Sequence, residues 1–411
     1  MLKLKLENFK CHEDREFTFD KDKMTLMQGN SGQGKCMSPE TDIIMYDGTI
    51  KKIKDIEVGE KIMGDDSTCR NVLSICSGED EMYEVIPTKG ESYKVNSRHI
   101  LSLKCSTNPV ISWDEQQNRY RLRYLTQEKV KMENFSVKKY GSIEAAFFAV
   151  TEAKKKLGLT NGNVFDVSIN DYFKRSTAWR TNVKGYKVGV DFDEQKLDMD
   201  PYLIGYWLGD GDSYSPLITT KDQEIVDYYT KKLNEYELCL KYRGNYHYGI
   251  TRKDGENYTG SNTFLNCLRQ YNLLKNKHIP HVYKCNSREN RMKLLAGLID
   301  SDGSLCDGCY GFNQKSEKMI DDVIYLCRSL GFSCYKTKCE KACTNAQNGP
   351  KTGTYYRICI SGQGLEEIPV LLEHKKYRPR KQIKNGLVTG IKVKPIGKGK
   401  YNGFQLDGNQ R

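Results

Sequence analysis

Two aspartates, Asp210 and Asp302, each lie at the end of an apolar segment that occurs twice in nearly the same form. The segments are LIGYWLGDG, residues 203–211, and LAGLIDSDG, residues 295–303. Each apolar run predicts a helix whose last turn presents the carboxylate. Two such helices packed side by side would bring the carboxylates together. Carboxylate oxygens are the ligands that hard divalent cations prefer, so the pair is a candidate metal site.

The residues before each segment predict where the two helices begin. Asp200 is a suitable N-cap, and Pro201 fits the first helical position. Asn286, followed three residues later by Glu289, predicts a capping box for the second helix. We therefore expect one helix to start near residue 201 and the other near residue 287.

Glycines inside and after the segments set how the helices pack and end. Gly205 and Gly297 hold the same place in both copies, where the absence of a side chain permits close approach of two backbones. Gly211 and Gly303 are expected to end the helices. The two aspartates are separated by 302 − 210 = 92 residues, which leaves room for one αβ repeat per segment.

With these residues the chain resembles the LAGLIDADG homing endonucleases in their two-repeat, single-chain form. The resemblance implies two pseudo-symmetric αβ halves, magnesium held by Asp210 and Asp302, a double-stranded DNA substrate and a monomer. It also implies basic active-site residues. KNKHIPHVY resembles the block that contributes Lys277, and LLEHKKYRPRK resembles the block in which Lys375 or Lys376 is the candidate. Such a lysine would polarise water or stabilise negative charge developing on the phosphate.

Two alternatives compete with a nuclease. The aspartates could be polar ends of ordinary core helices, or the domain could bind DNA without cutting it. Two copies in register with both acids present favour the enzyme. Composition agrees with a nucleic-acid partner, since the net charge is +12 and residues 374–400 contain ten lysines and arginines and no acid.

Other features of the composition indicate an intracellular protein of the cytoplasm or nucleus. The chain has no apolar run long enough to span a membrane and no signal-peptide core at its start. Its 15 cysteines are scattered, which favours reduced thiols. The pairs Cys306 and Cys309, and Cys339 and Cys343, have a spacing used by zinc ligands, but the gap between pairs is long and buried free thiols are favoured over zinc.

The first 35 residues indicate a different protein. GNSGQGK, which contains Gly29, Gly34 and Lys35, is a phosphate-loop pattern that follows a predicted strand. The opening resembles the start of SMC-like and DNA-repair ATPases. The loop then breaks off, because Cys36 stands where a magnesium-binding Ser or Thr is needed and no helix can follow. Nucleotide binding by this chain is therefore a weaker alternative, and ATP is expected only for a reassembled host protein.

From Cys36 onward the order of sequence blocks resembles an intein with a Hint-type splicing fold. Residues 36–66 resemble the first splicing block, and GESYKVNSRHILSLK resembles the second, which contains Asn96 and His99. The thiol of Cys36 would attack the carbonyl of Lys35 and convert the peptide bond into a thioester. His99 would protonate the departing nitrogen, and Asn96 would stabilise the oxyanion.

YNGFQLDGNQR, residues 401–411, resembles the penultimate splicing block, with Gln410 where the family commonly has His. The terminal Asn that the family cyclises is not in this sequence, and Asn409 lies inside the block. We expect only the first splicing step, unless a second polypeptide supplies the rest. The predicted fold is multidomain: a host (N-extein) fragment at 1–35, a β-rich Hint domain from 36–190 and 385–411, and an α/β endonuclease domain at 191–384.

Overall fold

The computed structural model describes residues 2–9, 12–19, 35–158, 162–253, 261–343, 351–378 and 385–409 of the 411-residue chain. The chain divides into two compact units. The first is Met1–Gly64, Thr68–Tyr186 and Val388–Arg411, and the second is Asp65–Ser67 and Lys187–Leu387. The predicted fold class is confirmed, because a β-rich region is interrupted by an α/β domain. The phosphate-loop residues Gly29 and Gly34, and also Gln410, lie outside the described residues.

The first unit consists mainly of short antiparallel strands. Before the α/β domain it contains strands β1 Leu2–Phe9, β2 His12–Phe19, β3 Lys35–Met37, β4 Asp42–Ile44, β5 Ile50–Lys52, β6 Lys61–Met63, β7 Cys69–Pro87, β8 Tyr93–Asn96, β9 Ile100–Cys105, β10 Val110–Asp114, β11 Arg119–Leu125, β12 Val130–Ser136, β13 Val164–Ser168 and β14 Val183–Tyr186, and helices α1 Val137–Tyr140, α2 Ile143–Leu157, α3 Ile169–Lys174 and α4 Thr177–Thr181.

The second unit contains helices α5 to α10 and strands β15 to β21. In chain order these are α5 Pro201–Asp210, β15 Leu217–Thr219, α6 Gln223–Asn234, β16 Leu238–Gly244, β17 His247–Arg252, α7 Thr263–Gln270, α8 His281–Lys284, α9 Arg288–Asp302, β18 Gly303–Cys306, β19 Cys309–Gln314, α10 Glu317–Ser329, β20 Ser333–Cys343 and β21 Lys351–Ser361. The chain then returns to the first unit with β22 Val388–Thr389 and β23 Ile391–Leu406.

Two long strands organise the largest sheet of the first unit. β7 and β23 pair antiparallel from Pro87 and Ile391 to Val72 and Leu406. The sheet order is β23–β3–β8–β7–β6, and the added β23–β7 pairing joins four of these strands into a closed ring. Strand β3 pairs with β23 on one side and with β8 on the other, so Cys36 on β3 lies between a strand that follows it closely in sequence and the last strand of the unit.

A smaller substructure follows β9. Strands β10, β11 and β12 form a meander, and helix α2 packs on it around Leu122, Phe135 and Val150. The sequence predicts an amphipathic helix over residues 144–156, and α2 confirms it, with Ser142 as the N-cap.

The second unit is built from two copies of one αβ arrangement. After α5, a bridge at Gly211 leads to a sheet in the order β15–β17–β16, and after α9 the order is β18–β19–β21–β20. The bridge between Gly211 and Ile218 matches the pairing of Gly303 with Phe312 in the second copy. The predicted αβ repeat per segment is therefore present.

The N-terminal residues of α5 and α9 can be compared with the predicted caps. The Asp200 carboxylate accepts from the amides of Tyr202 and Leu203 at 2.9 and 3.3 Å, and Pro201 is the first helical residue, as predicted. The capping box at Asn286 is wrong. Helix α9 is capped one residue later by Ser287, because the Asn286 side chain instead bonds to the main chain of Gln195 and Val282. Glu289 pairs with Lys293.

Candidate functional sites

Helices α5 and α9 approach each other at two glycines. A β-carbon on Gly205 would lie 2.2 Å from the carbonyl oxygen of Leu294, and one on Gly297 would lie 2.4 Å from that of Tyr202. No other residue fits at either position, so the glycines fix the separation of the helices. Most of the apolar residues of both helices are buried in the largest apolar core of the unit.

The close approach brings Asp210 and Asp302 into one electrostatic site. A β-carbon added to the neighbouring Gly209 would lie 3.2 Å from the Asp302 carboxylate, which places the end of one helix against the acid of the other. Burial and the charge of Asp302 raise the pKa of Asp210 to about 6. Burial also raises the pKa of Asp302. The charge of Asp210 is thus disfavoured both by burial and by a second carboxylate, and a cation would stabilise such a site.

The glycines that follow the two aspartates are needed because they have no side chain. Gly211 and Gly303 cap their helices, as expected, but in extended conformations and not in the left-handed one. A β-carbon on Gly211 would lie 2.3 Å from the carbonyl oxygen of Trp207, and one on Gly303 would lie 2.7 Å from that of Ile299. Each glycine lets the chain turn tightly away from the carboxylate.

Each aspartate helix ends against a lysine from its own repeat. Lys277 donates to the carbonyls of Trp207, Gly209 and Gly211 at 3.0, 3.2 and 2.7 Å. Burial lowers the pKa of this ammonium to about 8, although the nearby aspartates oppose the shift. A cation here satisfies main-chain carbonyls and complements the negative end of the helix dipole.

Lys375 does the same at the end of α9. Its ammonium donates to the carbonyls of Ile299, Asp300 and Ser301 at 3.0, 2.7 and 3.1 Å. Burial lowers its pKa as well. Lys376, the other candidate, is exposed and pairs with Glu373 at 2.7 Å. The structure thus brings Lys277 and Lys375 to the aspartates and directs Lys376 to the surface.

Two further residues of this site were not identified from the sequence. Gln314, at the end of β19, donates through its side-chain amide to the Asp302 carboxylate. Asp300 is buried and accepts from the Tyr202 hydroxyl at 2.7 Å and from the Leu371 and Leu372 amides at 2.7 and 3.3 Å. A signal for Asp300 was present in the sequence, because this acid stands in the second segment where the first segment has the apolar residue Leu208.

The residues that the sequence predicts to act in splicing lie close together in the first unit. Cys36 is buried on β3, and its neighbour Met37 pairs with Val95 on β8, next to the buried Asn96. His99 is also buried, and its main-chain amide donates to the Asn96 carbonyl at 3.2 Å. Lys35 is the first residue of β3.

The surroundings of Cys36 add groups that the sequence did not indicate. The Asp80 carboxylate accepts from the Asn96 amide at 3.2 Å and from the Ser97 hydroxyl at 3.0 Å. The thiol of Cys76 lies 3.9 Å from that of Cys36. The hydrogen bond with Cys76 and burial raise the pKa of the Cys36 thiol, and the charge of Arg98 opposes the shift.

The four cysteines weighed as zinc ligands are placed as follows. Cys306 and Cys309 face each other across the β18–β19 hairpin, whereas Cys339 and Cys343 lie on β20, which β21 separates from β19. Over the part of the chain that is described, no cluster of three or more His, Cys, Asp or Glu residues is arranged to hold a metal. Among the same residues, no helix combines the length and apolarity that crossing a membrane requires.

Family models match both units. Residues 36–187 match the homing-endonuclease-associated Hint family, and residues 278–370 match the homing endonuclease family. The first match contains Cys36, Asn96 and His99, and the second contains Asp302. The chain is an intein with a homing endonuclease domain. The two families that make up this intein are families of enzymes.

Three known proteins are similar to parts of the intein. The replicative DNA helicase DnaB of Mycobacterium intracellulare is 32% identical over 146 residues, which are 35% of the intein and 21% of the helicase. The homothallic switching endonuclease of Saccharomyces cerevisiae is 19% identical, covering 82% of the intein and 73% of that protein. A solved mesophilic variant of the homing endonuclease I-DmoI is 12% identical, with 43% and 95% coverage and a TM-score of 0.29. The intein thus matches about a fifth of the helicase.

Proposed function

We propose that the endonuclease domain hydrolyses both strands of double-stranded DNA in a reaction that requires a divalent cation. The observation that carries this proposal is the pair of carboxylates at the ends of α5 and α9, held together by Gly205 and Gly297. A domain that only bound DNA would gain nothing from two half-buried acids, one of which raises the pKa of the other, beside a negatively charged ligand.

The residues present fit a hard cation of the magnesium type. Asp210 and Asp302 offer carboxylate oxygens in a half-buried place where negative charge is unfavourable. Two acids are too few to enclose a metal, which matches a site completed by DNA phosphates and water. When bound, the cation would stabilise charge on the phosphate and increase the acidity of water.

The chain's own side chains supply orientation and positive charge. Gln314 holds one oxygen of Asp302 and leaves the other for the cation. Lys277 and Lys375 are each fixed by three carbonyls, so both ammonium groups keep their place beside the acids without DNA. Fixed positive charge near the scissile phosphates stabilises the pentavalent transition state.

The sheets of the two αβ repeats provide the surface for the duplex. Tyr242 and Tyr246 at the β16–β17 hairpin are 61% and 60% exposed. Arg243 beside them and Arg357 on β21 are also exposed. Basic and aromatic side chains on strands can contact phosphates and base edges in a groove. One chain contains both repeats, so a monomer suffices for a long, asymmetric site.

The experiment uses duplexes in which the coding sequence for residues 1–35 is joined to randomised downstream sequence. We expect the purified chain to cut a subset of them in the presence of magnesium, and sequencing of the ends locates the cut. The chelator EDTA should abolish cutting. Binding without cutting in magnesium and in manganese would favour the inert DNA-binding alternative.

A second function rests on the placement of Cys36 beside Asn96 and His99. We propose that the Cys36 thiol attacks the carbonyl carbon of Lys35. The carbon–nitrogen bond breaks, and the nitrogen gains a proton by way of His99 while the thioester forms. Asn96 stabilises the oxyanion. Added thiol should then release residues 1–35, and Cys36→Ala should abolish the release seen by mass spectrometry.

We propose that residues 36–190 and 385–411 form the splicing domain and that residues 191–384 form the nuclease. The host would be an ATPase whose phosphate loop begins in residues 1–35. A polypeptide that supplies the final splicing block would complete splicing, which co-expression and a mass measurement of the joined product would detect.

A further inference from the structure

Cys36 and Cys76 lie opposite the same residue of β23. Gly403 pairs in register with Cys36 on one side and with Cys76 on the other. Residues in register across a sheet project to the same face. The two cysteine side chains therefore project on either side of a position that has no side chain, and their sulfurs are 3.9 Å apart.

The glycine explains why the thiols meet. Any side chain on Gly403 would project between them on the same face of the sheet. The surrounding groups are close as well, since burial and, to a smaller extent, the charges of Cys36, Cys76 and Asp80 raise the pKa of Tyr401 on β23. The pair is thus a defined feature of the splicing centre and not a chance approach of two mobile surface thiols.

The two thiols differ in exposure and acidity. Cys36 is 7% exposed, whereas Cys76 is only partly buried. The hydrogen bond from Cys36 lowers the pKa of the Cys76 thiol to about 7. The thiolate is the form that attacks a disulfide, so Cys76 is the sulfur that a reagent from solution reaches first.

We propose that Cys36 and Cys76 form a reversible disulfide by exchange with a low-molecular-weight disulfide such as oxidised glutathione. The Cys76 thiolate attacks one glutathione sulfur, forming a mixed disulfide and releasing one glutathione thiolate. Cys36 then loses its proton, attacks the Cys76 sulfur and releases the second glutathione. The protein pair loses two electrons and two protons, and one oxidised glutathione becomes two reduced molecules.

Formation of the disulfide requires the two sulfurs to move closer together. A disulfide has a sulfur–sulfur distance of about 2.05 Å, so the sulfurs approach by about 1.9 Å from their present separation. The short strand β3 carries one of them, and no side chain on Gly403 blocks the path.

The consequence for splicing rests on the proposed function of Cys36. A sulfur held in a disulfide has no thiolate to attack the Lys35 carbonyl, so oxidation stops thioester formation and reduction restores it. The splice junction would then respond to the thiol redox state around it.

The disulfide is tested on the full chain with oxidised glutathione, followed by alkylation and a tryptic digest without reductant. We expect one linked peptide pair containing Cys36 and Cys76, two hydrogens lighter than the separate peptides. Cys69→Ser, on the same strand, should keep the link, and Cys76→Ser should lose it. Circular dichroism checks that each variant is folded. Absence of the link in folded wild-type protein, or a link from Cys36 to another cysteine, would overturn the proposal.

A second readout separates this proposal from the splicing proposal. Hydroxylamine cleaves thioesters without reducing disulfides, so it reports thioester formation in oxidised samples. Oxidised glutathione should lower release of residues 1–35 at least 10-fold in wild type. In Cys76→Ser, the oxidised and reduced samples should release them equally. A Cys36–Cys76 link with no release under any condition would contradict only the splicing proposal.

Discussion

Lys277 and Lys375 are equivalent across the two repeats of the endonuclease domain. Each ammonium donates to three main-chain carbonyls at the end of the aspartate helix of its own repeat. The distance in sequence from aspartate to lysine is 67 residues in the first repeat and 73 in the second. Two separate segments have thus reached the same contact, which indicates that the position of the charge matters.

Replacing either lysine by methionine should therefore lower cleavage of both strands. Methionine keeps the length and apolar part of the side chain but removes the charge that stabilises the transition state. We expect a loss of about 100-fold or more in the single-turnover rate. Lys376→Met is the matched control, because Lys376 is exposed and pairs with Glu373, and it should change the rate by less than about threefold. Equal losses in Lys375→Met and Lys376→Met would contradict the assignment.

Gly205→Ala and Gly297→Ala should destabilise the protein. Their β-carbons would lie 2.2 and 2.4 Å from main-chain carbonyl oxygens, which can move only if the helices separate. We expect a loss of about 2 kcal/mol or more in the free energy of unfolding of the endonuclease unit, measured by urea titration. Gly353→Ala is the control, since its β-carbon would have an ordinary contact of 3.5 Å with Tyr355. Wild-type stability in Gly205→Ala would show that the helices are not packed as described.

Asp300→Leu places in the second repeat the residue that the first repeat has at Leu208. The change leaves the Tyr202 hydroxyl and the Leu371 and Leu372 amides without their acceptor. Buried donors without partners should lower the free energy of unfolding by about 2 kcal/mol or more. Because the two amides belong to the segment that leads to Lys375, the cleavage rate at a temperature where the variant is folded should fall as well. Tyr202→Phe removes only one of the donors and should have a smaller effect on both measurements.

Metal binding should depend on pH through Asp210. Its pKa is raised to about 6, so protons compete with the cation below that pH. We expect the affinity for calcium in the DNA complex, measured by calorimetry, to rise as the pH increases from 5 to 7 and then to level off. The free energy of unfolding of the metal-free protein changes with pH in the opposite direction. Without metal, a raised carboxyl pKa means that the folded state favours the neutral acid, so this stabilisation is lost as the pH rises through 6. An affinity that does not change between pH 5 and 7 would contradict the role of Asp210.

Sequence reasoning located the two helices and their aspartates because each has a local signal, whereas the family resemblance indicated Lys277 and left Lys375 and Lys376 as alternatives. Asp200 and Pro201 identified the start of α5, and the repeated apolar pattern identified its buried body. The cap of α9 was misplaced by one residue, since Ser287 and Asn286 are both good caps and only tertiary contacts of Asn286 decide between them. The local sequence pattern alone does not show which of two adjacent residues caps the helix.

The residues that were missed depend on contacts between distant segments. Cys76 meets Cys36 only because β23, more than 300 residues later, pairs with both strands. Asp80 and Gln314 likewise have no motif of their own, and their partners are defined by strand register. Register over such separations is not encoded in a local period, which is why the sequence alone did not indicate these groups.

We propose that Asp210 and Asp302 together carry DNA cleavage, and a comparison of cutting with binding in Asp210→Asn and Asp302→Asn tests this claim. On a duplex that wild type cuts, we expect each variant to lose double-strand cleavage in magnesium while its affinity for the same duplex, measured by gel shift in calcium, stays within about threefold of wild type. Double-strand cleavage at the wild-type rate by either variant would contradict the claim.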